Sequence, residues 1–221
     1  MIGEYPILTA AELMVLLGVS GGKTLYGFWQ KSTDRREILC AAGQLTTRGL
    51  LTLDENGFQI SDEKLPRLLA PLREPRQVVL LTPLAQDQPQ VCYVFGDGAV
   101  GYEFLLVQPG AVRLFPMEAG DWIKELRQRG IVQELDEHLP DGYRRDSEVE
   151  ADFQLPVQAL AVQWRHATAL LEYQVPNGQM PEKKVILLDG PEEARAVIVT
   201  EKRSWLTNDA LDAIRLIAED D

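Results

Sequence analysis

A chain of 221 residues that is 45% hydrophobic and 25% charged can bury the core of one large or two small globular domains, which excludes a disordered or fibrous polypeptide. The formal charge of −12 is carried wholly by residues 77–221, with 13 basic against 25 acidic side chains, because residues 1–76 hold 9 of each. Acidic surface repels nucleic-acid phosphate and anionic lipid, so a basic or neutral protein is the expected partner, with no nucleic acid and no membrane. Residues Met1 to Pro6 carry Glu4 and no basic residue, and no apolar run approaches the about 18 residues of a membrane span, so a cytoplasmic location is expected. Cys40 and Cys92 lie far apart without a CxxC, which points to two buried thiols and to neither a disulfide framework nor a zinc site.

In chain order, Thr9-Ala10-Ala11-Glu12 is a capping box opening a helix with Leu13, Leu16 and Leu17 on one stripe and Gly18 as its left-handed stop. Gly21-Gly22-Lys23-Thr24 follows as a loop. It resembles part of a phosphate-binding loop, but Leu17 stands where the first glycine is needed and a helix, not a strand, precedes it. Ser32 or Thr33 is expected to cap a second helix bearing Ile38, Leu39, Ala42 and Leu45, stopped at Arg48-Gly49. Leu50 to Leu53 and Phe58 to Ile60 flank Asp54-Glu55-Asn56-Gly57, which predicts a short hairpin with an Asn-Gly turn. Leu65, Leu68, Leu69 and Leu72 predict a third helix that Pro71 kinks or ends.

A helix followed by a tight two-stranded ribbon is also the skeleton of a winged helix. Phosphate contact would want Lys or Arg at the wing tip, where Asp54 and Glu55 stand, and Asp34 and Glu37 offset Arg35 and Arg36. From Arg76 the pattern turns to period two: Val78 to Leu81, Gln90 to Phe95, Tyr102 to Val107 and Val112 to Phe115 read as antiparallel strands. A short helix, Asp121 to Arg129, ends at Gly130. The stretch from Glu134 to Asp152 holds eight acids and two arginines and reads as a solvated connector. After it, Gln158 to Trp164, Ala169 to Val175, Lys184 to Leu188 and Ala196 to Thr200 are strand-like, and Thr207 is expected to cap a last helix with Leu211, Ile214 and Ile217 inward.

The expected architecture is α+β: an antiparallel sheet with packed helices, a quasi-twofold internal repeat and a winged-helix-like amino-terminal segment. Its parts are residues 1–76, a first strand-and-helix unit 77–133, the acidic connector 134–152 and a second unit 153–221. Little in it looks like chemistry. With only His138 and His166, histidine catalysis lacks material; His138 sits in the acidic connector, and no carboxylate pair, Ser-His-Asp order or dinucleotide fingerprint stands out, so no enzyme, cofactor or metal is expected. The residues nominated for partner binding are Glu134, Asp136, Glu137 and Asp141 of the connector, with Trp164 and Trp205 as aromatic anchors. Trp29 and Trp122 read more simply as core or seam residues.

The run Ile38-Leu39-Cys40-Ala41-Ala42, then Leu45, Thr47-Arg48-Gly49-Leu50-Leu51, the hairpin, and Leu65 to Pro75 leading into a strand is similar to the amino-terminal region of EspG-like proteins. Those are cytosolic chaperones of mycobacterial type VII secretion. Ser204-Trp205-Leu206-Thr207 before a late helix also fits that layout. The resemblance covers most of the chain; it implies a quasi-twofold α/β unit that binds a helical secretion substrate without chemistry. Pro71 and the acidic connector depart from the family layout, and no family binding residue maps onto a motif here. The reading is therefore a non-enzymatic cytosolic protein-binding module, a chaperone or adaptor for a secreted helical partner. The alternative, from a different class, is a winged-helix nucleic-acid-binding regulator with an acidic sensor domain.

Overall fold

The computed structural model describes residues 5–28, 34–84, 87–131, 167–174, 183–189, 194–200 and 204–207. The fold is α+β, with antiparallel strand ladders and helices. The chain divides into two compact units, Met1–Val78 with Val91–Ala119, and Val79–Gln90 with Gly120–Asp221. Among the described residues no helix is long and apolar enough to cross a membrane.

The first unit opens with a three-residue strand, β1 (Ile7–Thr9), which the sequence pattern had not suggested, and α1 (Ala10–Val19). The capping box forms as expected: the Glu12 amide donates to Thr9 Oγ1 at 3.2 Å and the Thr9 amide to Glu12 Oε2 at 2.7 Å. Gly18 does not stop this helix. The left-handed residue is Gly21, at φ 93°, because the Gly21 and Gly22 amides return to the Gly18 and Leu17 carbonyls in a Schellman closure. Helix α2 (Arg35–Thr47) is capped by Asp34, whose Oδ1 accepts from the Arg36 amide, in place of the expected Ser32 or Thr33. It ends by the same closure, with the Gly49 amide on Thr46 and the Leu50 amide on Leu45. Strands β2 (Leu51–Asp54) and β3 (Gly57–Ile60) form the expected ribbon, joined by Glu55 and Asn56.

Helix α3 (Leu65–Arg73) runs two residues past Pro71 instead of stopping there. Pro71 lies in the last turn and packs closely against the end of a strand: a Cβ at Gly96 would come within 2.7 Å of the Pro71 carbonyl oxygen. The strand β4 (Gln77–Pro83) follows, its approach fixed by an Arg76 amide bond to the Phe95 carbonyl. Strands β5 (Val91–Gly96), β6 (Gly98–Phe104) and β7 (Ala111–Met117) form an antiparallel meander, and β1 pairs with β7 at its edge, Leu8 opposite Val112. Strand β6 starts and ends earlier than the expected Tyr102 to Val107: the ladder closes with the Leu105 amide on the Ala111 carbonyl, so Leu106 and Val107 fall in the connecting turn. The core joins Leu13, Leu16, Leu45, Leu65, Leu69 and Leu72 from the helices to Val91, Tyr93, Val100 and Leu114 from the strands, all essentially without exposure. In the middle of the meander Tyr93, Gly101 and Phe115 stand side by side on three strands. The two rings meet edge-on at 6.4 Å, and Phe115 lies across the space a Gly101 Cβ would need.

In the second unit, α4 (Trp122–Gln128) ends as expected near Gly130, with Arg129 paired to Glu125 at 2.7 Å. Strands β8 (Ala167–Gln174), β9 (Lys183–Asp189), β10 (Ala194–Thr200) and β11 (Ser204–Thr207) make a second antiparallel run in sequence order. Strand β11 is new: Ser204 to Thr207, which the sequence pattern offered only as the lead into a helix, pairs with β10. The expected helix beyond Thr207 and the expected strand Gln158 to Trp164 lie outside the described residues.

Candidate functional site

The sequence brings three elements of the first unit to Arg48. Because the closure after α2 turns the chain back at Gly49, Arg48 reaches β1 and α1, residues far from it along the chain. Its Nη1 donates to Glu12 Oε1 at 2.7 Å and its Nη2 to the Ile7 carbonyl at 2.8 Å. Glu12 is only 3% exposed. Such a carboxylate needs all its partners, and it has them: one oxygen takes the Thr9 amide and the other the guanidinium. The outward carbonyl of Ile7 and amide of Thr9, which an edge strand would offer to another chain, are both consumed.

Above this joint lies an open groove of about 820 Å³. One wall is a stripe of α2, Cys40, Gly43, Gln44 and Thr47, at helical spacing i, i+3, i+4 and i+7. Cys40 is exposed, which corrects the expectation of two buried thiols. Cys92 is the buried one, opposite Tyr102 on the neighbouring strand. Burial pushes its thiol up to about 12, against the hydrogen bond with Tyr102 that lowers it. Burial likewise raises the Tyr102 hydroxyl well above its ordinary range, and that hydroxyl donates to the Tyr26 carbonyl. The pair is a neutral interior contact, not a nucleophile.

The β2–β3 ribbon holds a different kind of surface. Leu51 faces Ile60 and Leu53 faces Phe58, and since side chains alternate, all four share one face. That face starts inside and ends outside: Leu51 is 1% exposed, Leu53 66% and Phe58 40%. The apolar stripe thus overhangs the core that covers its base. Beyond it, Asp54 is held by the Asn56 amide at 2.7 Å and the Gln59 side-chain amide at 2.5 Å. Other large apolar side chains are exposed at Leu39 on α2 and at Leu106 and Val107 between β6 and β7.

The loop that resembled a phosphate cradle is occupied by packing. The Gly21 and Gly22 amides are spent on the end of α1, and a Cβ at Gly22 would stand 2.2 Å from a Leu17 methyl carbon. Among the described residues no group of three or more His, Cys, Asp and Glu side chains could hold a metal ion. Of the nominated partner-binding residues, Glu134, Asp136, Glu137, Asp141 and Trp164 lie outside the described residues, as do His138 and His166. Trp205 is a strand residue, opposite Ile198 at the end of the second antiparallel run. The surface that sequence reasoning missed is the Leu53–Phe58 pair; its signal was the apolar alternation carried right up to the turn.

No family model matches the chain, and no curated protein matches it. Among solved structures the chain is similar to the Mycobacterium tuberculosis type VII secretion system chaperone EspG5, determined in complex with a PE25-PPE41 dimer, at 10% identity over 97% of this chain and 94% of that one with a TM-score of 0.49. Likeness at that level leaves open what this chain binds.

Proposed function

We propose that the chain is a non-enzymatic protein-binding module that docks a protein partner on the apolar face of the β2–β3 ribbon. The observation that supports it is the Leu53–Phe58 pair, two large apolar side chains directly opposite one another and held outside the core. Covering a leucine or phenylalanine side chain in full is worth about 1.5–3 kcal/mol, and a small apolar cluster ringed by polar residues is the usual centre of an interface. In its finer form the proposal is a chaperone or adaptor for a secreted helical partner. That form rests on the resemblance of residues 38–51 and the following hairpin to EspG-like proteins. The winged-helix regulator is the weaker reading, since Asp54 and Glu55 occupy the tip where phosphate contacts would lie.

A photo-crosslinking residue placed at position 53 or 58 of the full chain, expressed in its own cells, tests the proposal. Covalent adducts with a second protein are expected there and not from position 52, on the other face of the ribbon. Equal yields from positions 52 and 53 would overturn it. Duplex DNA binding by the unaltered protein, weakening steeply with salt, would favour the regulator instead.

A further inference from the structure

We draw no further inference here: the strongest candidate, the open groove between β1, α2 and the β6–β7 turn, carries none, because its buried Glu12 carboxylate is already held by the Thr9 amide and Arg48 and nothing in the structure shows what covers it.

Discussion

Strand β1 and the β2–β3 ribbon are both short β-elements anchored at the end of α2, and they expose themselves to other chains in opposite ways. In β1 the outward Ile7 carbonyl is taken by Arg48 and the Thr9 amide by Glu12, so the backbone edge is closed. In the ribbon the backbone is paired strand to strand, while the apolar face runs out past the core at Leu53 and Phe58. Strand addition uses main-chain groups, and a side-chain platform uses pockets and area. The contrast teaches that this unit suppresses the first mode at one place and keeps the second available at another.

The sharpest way to separate base from tip on the ribbon is truncation along its single apolar face. Leu51→Ala, at the buried base, should lower the unfolding free energy by about 2–4 kcal/mol in urea denaturation, and an equal cost at Leu53 would show that the tip is covered after all. Next in size is the closed edge. Arg48→Ala leaves the carboxylate of Glu12 buried without its cation, and because the arginine side chain is itself 37% exposed the expected loss is about 1–3 kcal/mol. The same variant should self-associate in sedimentation, since the Ile7 carbonyl is freed. Arg48→Lys should recover only part of the stability, as an ammonium lacks the fork that spans carboxylate and carbonyl.

A third contrast sets the exposed thiol against the buried one. Cys40 should react with a thiol reagent in the native state, and Cys92 only on unfolding. The Cys92 thiol is held at about 12 in the fold against an ordinary 9.0, so above pH 9 the unfolded chain binds fewer protons than the folded one. Stability is therefore full below pH 9 and falls as pH rises from 9 towards 12, by about 1.4 kcal/mol per pH unit. Tyr102 acts in the same direction above its own ordinary value. Cys92→Ala should flatten the alkaline limb of a chemical-denaturation series; an unchanged limb would place the effect elsewhere. The smallest effect expected is at the tip: Leu53→Ser should shift stability by less than about 0.5 kcal/mol while removing partner crosslinking at position 58.

Local signals were readable where the physics is local. The Thr9–Glu12 box and the Asn-Gly ribbon depend on residues near one another in sequence and formed as the pattern implies, and the meander through β5, β6 and β7 formed with β6 lying earlier along the chain than the pattern placed it. Gly18 misled because a left-handed stop is chosen by which amide can reach back to the last turn, and Gly21 serves that closure. Ser204 to Thr207 gave no strand signal because a short polar-aromatic run becomes an edge strand only once a neighbour such as β10 is in place. The Arg48 joint was illegible because its partners come from α1 and β1, with no periodicity linking them. Alternation through Leu51, Leu53, Phe58 and Ile60 defines a face; it says nothing of how far the core extends beneath it. The nominated Glu134, Asp136, Glu137, Asp141 and Trp164 remain proposals, outside the described residues.

The row of Tyr93, Gly101 and Phe115 across β5, β6 and β7 also bears on how the meander finds its alignment. The Phe115 ring occupies the volume where a Cβ at position 101 would stand, so it fits against one residue of β6 and no other. Sliding β7 by one position would set that ring opposite Val100 or Tyr102, and would also turn its face over, since side-chain direction alternates. Sliding by two would restore the face but bring the ring onto Ala99 or Glu103, each with a side chain in the way. The bare backbone at Gly101 thus works as a keyhole: misaligned pairings are excluded by shape before hydrogen bonding, which any register satisfies equally, can distinguish them.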